Sequence, residues 1–408
     1  MLRGQDENNM SDGWKKQFFT IYFGQAFSLL GSSAVSFAII WWLTVQTESA
    51  VVLSISTLTT VIPGLIFSPL AGVIIDRYSR KNIIIIADGM IALTSIIMAF
   101  GFMFFTTPPL WFILLILVLR SIGNCFHSPA MHAAIPMLVP SEKLTQVGGW
   151  ISIISSLSNM IGPILGAFLV NDISIIGAMG VDVIGAVVAI CCLLRVTIPN
   201  TPSHNLKGNF FHDFKQGANA IRNNRALMAV LPAMVLCNLI YMPLGSLFPL
   251  MVRVHFIRGA WYNSMSEIAF AAGLLISSLV IGIWGGTKKR FLLVSLSIIV
   301  LGSVSAISGL LQMNGFWIFL GCCFIMGITG SLINIPLNAY IQQTTAPDML
   351  GKVKSIIFML MSFVMPIGLI IAGPVSDIIG IDTWFFFSGI CLVLVGILCM
   401  LRTRKYDK

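Results

Sequence analysis

The chain has 408 residues, of which 57% are hydrophobic and only 10% charged, with a mean hydropathy of +0.94. Soluble domains carry about 25% charged residues, so a water-soluble fold is excluded. A net charge of +9 would suggest nucleic acid in a soluble protein; here it is better read as short basic loops against anionic lipid.

About 20 apolar residues cross the hydrocarbon as a helix, and the chain offers twelve such runs. The first six are predicted at roughly 18–46, 50–75, 82–106, 109–131, 145–170 and 174–197. The second six fall at roughly 226–252, 265–285, 290–312, 315–342, 354–378 and 383–402. The polar start, Met1 to Gly13, precedes a run too long for a signal-peptide core and is expected to be retained with the first helix. The predicted fold class is therefore an all-α membrane protein of twelve transmembrane helices.

Basic residues give the orientation. Of 24 Lys and Arg, 21 fall at the termini or in every second gap, as cytoplasmic loops require. Arg77, Arg80 and Lys81 fill one gap, Lys143 another, and Lys288, Lys289 and Arg290 a third. The intervening gaps hold Glu48, Asp172 or Asp382 without Lys or Arg, except one with Arg253 and Arg258. Both ends are expected in the cytoplasm of a cell membrane. All eight cysteines lie inside apolar runs, so they imply neither disulfides nor a metal site.

The polar stretch after the sixth run divides the chain into 1–198, a linker 199–225, and 226–408. Within the linker Phe210, Phe211, Phe214, Ala218 and Ile221 recur at helical spacing opposite Lys215, Arg222 and Arg225. That pattern fits either an amphipathic helix on the inner membrane surface or a solvated linker. The halves echo each other. Gly123, Pro129 and Pro140 are matched by Gly330, Pro336 and Pro347 at one offset of 207 residues, and Gly162-Pro163 by Gly373-Pro374. A duplicated six-helix unit follows, an arrangement of many secondary transporters.

Arg120 lies roughly 11 residues into the fourth run, near mid-bilayer. An arginine there costs about 2.5–3.5 kcal/mol on translocon scales, so it needs a partner. Asp88 and Asp182 are the candidates that match its depth. Such a pair is either structural or a means of modulating a carboxylate for proton coupling. Glu267 is a further candidate, although Ser264 three residues before it has capping-box spacing. Asp377 lies near an outer helix end and ranks last. His127 and His132, beside Pro129, are read as a loop turn rather than a metal site. The chain has no Gly-x-x-x-x-Gly-Lys-Ser/Thr, His-Glu-x-x-His or Gly-x-Ser-x-Gly segment. No enzyme activity, cofactor or metal is expected, and the energy for work comes from an ion or substrate gradient.

Gly72-Val-Ile-Ile-Asp76-Arg77-Tyr-Ser-Arg80-Lys81 follows the second run. It resembles the Gly-x-x-x-Asp-Arg-x-Gly-Arg-Lys loop of the major facilitator superfamily, with Ser79 in place of a glycine. The resemblance implies two pseudo-symmetric six-helix bundles. It also implies a cytoplasmic latch in which Asp76 meets the N-terminal end of the eleventh helix, expected near Lys354. Ser158-x-x-x-Gly162-Pro163-x-x-Gly166-Ala167 resembles the fifth-helix signature of the family's drug antiporters, with Ser and Ala for the outer glycines. Leu119-Arg120-Ser-Ile-Gly123 is similar to their Arg-containing fourth-helix motif, without the usual Gln-Gly.

Within the family the likeness is to bacterial macrolide-efflux proteins. It is carried by Trp14-Lys-x-x-Phe, Gly24-Gln25-Ala, Phe126-His127-x-Pro129-Ala130 and Tyr241-Met242-Pro243 followed by Leu247-Phe-Pro249. It implies export of amphiphilic drugs against protons. A cavity lined by the first, fourth, seventh and tenth helices would then offer Gln25, Trp41, Asn124, Asn238, Tyr241 and Asn334 to substrate. A proton-coupled uptake symporter and a non-transporting membrane scaffold or sensor remain as alternatives. The expected partners are a small amphiphilic substrate, protons and the bilayer, with a monomer and an accessory resistance protein as further expectations.

Overall fold

The computed structural model describes residues 2–105, 107–198, 210–287 and 289–407, with side chains described for all of these except 2–12, 145, 210–213 and 348. Among the described residues 12 helices are long and apolar enough to cross a membrane. The first six are α1 (Leu2–Thr47), α2 (Ala50–Arg77), α3 (Arg80–Phe104), α4 (Leu110–Leu138), α5 (Leu144–Phe168) and α6 (Ile175–Leu194). A non-spanning helix α7 (Phe210–Asn223) precedes α8 (Arg225–Ser246) and the single turn α9 (Phe248–Leu250). The last five are α10 (Ala260–Trp284), α11 (Arg290–Leu310), α12 (Phe316–Thr344), α13 (Pro347–Ile379) and α14 (Ile381–Thr403).

Every predicted run has become a helix, but several extend past the apolar segment that revealed them. The eleventh spanning helix, α13, starts at Pro347 and not near Lys354. Pro347 sits at the first helical position, where a missing N–H costs nothing, and Lys352 and Lys354 lie in the turns that follow. The fourth helix runs through Pro129 and Pro136 to Leu138. His127 is thus an interior helical residue and not part of a loop turn. The eighth spanning helix, α10, begins at Ala260 with Gly259 as its N-cap. The Ser264–Glu267 capping box is therefore corrected: both residues lie inside the helix. The seventh run is broken where Pro249 has no N–H to return to the carbonyl of Gly245, leaving α8, α9 and a π-helical turn at Met251–His255.

The chain divides into two compact units, Met1–Trp42 with Thr59–Asn205, and Leu43–Leu58 with Leu206–Lys408. In the first, α3 packs on both α4 and α6. The ends of α1, α3 and α4 that adjoin basic loops close over a buried apolar cluster of Phe18, Tyr22, Ile84, Ala130, Met131 and neighbours. Lys81 at the start of α3 donates from Nζ to the carbonyls of Leu194 (3.1 Å) and Val196 (2.7 Å) at the end of α6. An ammonium there satisfies orphan acceptors at the negative end of the helix dipole.

In the second unit, α11 lies against α14 and α12, α10 against α12, and α8 against α13 and α14. Asp407 accepts from the backbone N–H groups of Phe291 (2.9 Å) and Leu292 (2.6 Å), capping α11 from beyond the end of α14. Asp377 does the same for α2, accepting from Ser49 Oγ (2.6 Å), Ala50 N (2.5 Å) and Val51 N (3.2 Å). Arg253, in the loop that departs from the basic-residue pattern, meets Glu48 at 3.1 Å, while Arg258 stands 5.0 Å over the ring of Tyr262. The linker pattern did form a helix, α7. Its Ile221 is buried, and Gly217 packs on Lys352 and Ile356 of α13, so at least part of its apolar face is covered by protein.

The α11 cap is open to a direct check. An Asp407→Asn substitution removes the charge at the helix N-terminus and is expected to cost about 1 kcal/mol, read as a lower melting temperature of the detergent-solubilised protein.

Candidate functional site

Arg120 is the eleventh residue of α4. It is 5% exposed, and Asp182 of α6 is 0% exposed. Arg120 Nη1 lies 2.8 Å from Asp182 Oδ2 and also donates to Ser95 Oγ. Asp182 takes further hydrogen bonds from Ser32 Oγ (2.7 Å) and Ser95 Oγ (2.5 Å). The carboxylate is thus saturated by a guanidinium and two hydroxyls, which is what a buried charge requires. Gly31 permits the approach of α1 to α6 here, because a Cβ at that position would meet Asp182 Cα at 2.8 Å.

Asp88 does not share this pair. It is buried on α3 and faces His127 of α4, whose Nε2 lies 3.2 Å from Asp88 Oδ1. Gln25 Nε2 of α1 donates to Asp88 Oδ2 at 3.0 Å. The His127 contact is close but not an aligned hydrogen bond: Nε2 is buried with no hydrogen-bond partner, as is Gln25 Oε1. His127 was missed as a site residue because Pro129 beside it suggested a turn. A usable signal existed. Gln25 and Ser32, Asp88 and Ser95, and Arg120 and His127 are each seven residues apart. On a helix that spacing repeats nearly the same face. The two polar sets therefore form layers separated by an axial rise of about 10 Å.

In the second unit Glu267, half-buried on α10, accepts from Asn263 Nδ2 at 3.0 Å. It has no role at the helix start. Asp377 serves as the cap of α2 described above. Of the predicted substrate contacts, Gln25 is withdrawn from any cavity by its bond to Asp88, with 2% exposure, and Trp41 is buried. Asn238 is half-buried and donates to Met234 O (3.0 Å) and Met361 Sδ (3.3 Å). Tyr241 is half-buried, whereas Asn124 and Asn334 are exposed.

The two motifs behave differently. A Cβ on Gly72 would meet no described atom within 4 Å, so this glycine makes no close helix contact. Asp76 and Arg77 are exposed at the end of α2. Arg80 reaches Met137 Sδ, and Lys81 binds the end of α6. In α5 the small residues do bring backbones together. A Cβ at Gly162 would collide with the side chain of Ser33, and one at Gly166 would lie 2.8 Å from Ala34 O of α1. Pro163, between them, is buried.

Twelve apolar helices among the described residues, with the Arg120–Asp182 pair buried between them, define a multi-pass membrane protein. The chain belongs to the major facilitator superfamily, whose profile its residues 21–265 and 261–408 match, and it is a transporter and not an enzyme. It is 38% identical to Macrolide efflux protein A of Streptococcus pyogenes over 400 residues, covering 97% of this chain and 98% of that one. It is 23% identical over 397 residues to Multidrug efflux pump Tap of Mycobacterium tuberculosis (strain CDC 1551 / Oshkosh), covering 94% and 92%. The crystal structure of nucleoside transporter NupG shares the fold with a TM-score of 0.68 at 13% identity, over 95% of this chain and 98% of that chain.

Arg120→Ala or Asp182→Asn leaves a buried charge uncompensated and is expected to cost about 3–5 kcal/mol, seen as a lower melting temperature in detergent. Arg120→Met combined with Asp182→Leu recovers much of that loss. Separately, Gly166→Leu overpacks the α1–α5 contact by roughly 1–3 kcal/mol, with the same readout.

Proposed function

We propose that this chain is a secondary active exporter of amphiphilic drugs of the macrolide type, working by proton antiport with alternating access in the cell membrane of a bacterium. The observation that carries the reading is the likeness, over nearly the full length of both chains, to a protein named for macrolide efflux. The name of the more distant relative, a multidrug efflux pump, points the same way. The closely packed Gly162-Pro163-x-x-Gly166 segment of α5 agrees with the drug-antiporter signature it resembles.

The candidates for proton coupling are the polar groups that a membrane interior keeps only for a purpose. These are Arg120 with Asp182, Asp88 with its neighbours, and Glu267. Asn124, Asn334, Asn238 and Tyr241 are the polar contacts left to a substrate once Gln25 and Trp41 are buried. The exposed Asp76 and Arg77 are free to act in a cytoplasmic latch. Both termini in the cytoplasm, a monomer and an accessory resistance protein complete the proposal. An uptake mechanism in which Arg120 holds an anionic substrate loses support, because Asp182 already occupies that guanidinium.

Cells expressing the protein are expected to hold several-fold less radiolabelled erythromycin than control cells, with the difference abolished by a proton uncoupler. Equal accumulation in both would remove export of that drug from the proposal, and uncoupler-resistant export would remove proton antiport.

A further inference from the structure

Of the two polar layers in the first unit, only one is built to change its charge. In the outer layer Asp182 is held by Arg120, Ser32 and Ser95. Adding a proton to that carboxylate would strand a guanidinium that cannot itself deprotonate. The inner layer has no such permanent cation. It joins a carboxylate to an imidazole, the one side chain that gains and loses protons around neutrality without special tuning. Its hydrogen bonding is also incomplete, with His127 Nε2 and Gln25 Oε1 buried and unpartnered. His127 is 9% exposed and Gln25 2%.

We infer that Asp88 and His127, steadied by Gln25, form the dyad that carries the exchanged proton, while Arg120 and Asp182 form a fixed structural pair. This rests on the proton-antiport reading above and assigns its proton to particular atoms. Loading places a proton on His127 and gives an imidazolium facing the Asp88 carboxylate across 3.2 Å. Unloading returns that proton to water and leaves the carboxylate with the Gln25 amide as donor at 3.0 Å. The layer thereby alternates between net charge zero and one negative charge, and no bond other than N–H is made or broken.

The titratable and charged groups on the faces turned to His127 are few. Helix α3 contributes Asp88, and α1 carries Tyr22 one turn before Gln25. Its own helix carries Arg120 two turns away and Cys125 on the side turned to Gly64 of α2. Tyr22, Ile84, Ala130 and Met131, one turn nearer the basic loops, are all buried and separate the dyad from that end of the unit. A proton reaching His127 from there must wait for these side chains to part, which is the gating a coupled carrier needs.

The test uses full-length protein in liposomes with labelled erythromycin as probe, in two assays. One measures accumulation driven by an acidic lumen; the other measures exchange of labelled for unlabelled drug at equal pH, which needs no net proton movement. Wild type is expected to perform both. His127→Asn and Asp88→Asn are expected to lose pH-driven accumulation while keeping exchange at the wild-type rate. His127→Asn that accumulates drug as wild type does would overturn the dyad. Should the variant lose exchange as well, infrared difference spectra of wild type with ring-labelled histidine decide. A change in imidazole protonation on drug addition supports the dyad, and its absence overturns it. Wild type that exchanges drug but never responds to the pH gradient would instead refute proton antiport itself, and the dyad's role with it.

Discussion

A guanidinium placed eleven residues into a membrane-spanning helix persists only if the surrounding chain supplies a counter-charge and acceptors. The first unit is arranged around that demand. Asp182 must come from α6, the hydroxyls of Ser32 and Ser95 from α1 and α3, and all must converge within hydrogen-bond reach. Four helices are thereby committed to one point. Gly31 of α1 serves the same end, because only close backbones bring such short polar side chains into contact.

The same logic governs the helix ends. Lys81 closes the carbonyls at the end of α6, Asp407 the amides at the start of α11, and Asp377 those at the start of α2. In each case the charge has the sign that the helix dipole favours, and it comes from a residue remote in sequence. Helix termini are where backbone groups go unpaired, and these three side chains supply tertiary partners.

How much of this was visible in the residues alone depended on the kind of constraint. The twelve crossings were legible because a bilayer imposes length and apolarity on every one. Arg120 was legible as a residue needing a partner, and Asp182 and Asp88 as candidates, but choosing between them needed the heptad register of three helices at once. Helix ends were harder. Charged residues such as Lys352 and Lys354 mark where the membrane stops, not where the helix does, and α13 begins before them. Glu267 and His127 misled for local reasons: a serine at capping distance in one case, a nearby proline in the other. Asp377 ranks last in the sequence because its partners, the first amides of α2, are 326 and 327 residues away.

The shared seven-residue interval has a mechanical corollary. Sliding α4 by one residue along its axis, a screw motion of about 1.5 Å and 100°, would swing Arg120 and His127 away from Asp182 and Asp88 together. Movement of α1 or α3 past its neighbours would likewise break contacts at two heights at once. The bundle therefore resists internal shear far more than a purely apolar packing of equal area, whose side chains can re-seat without losing a charge pair. Whatever work this half of the molecule does, it does as a stiff body whose helices keep register.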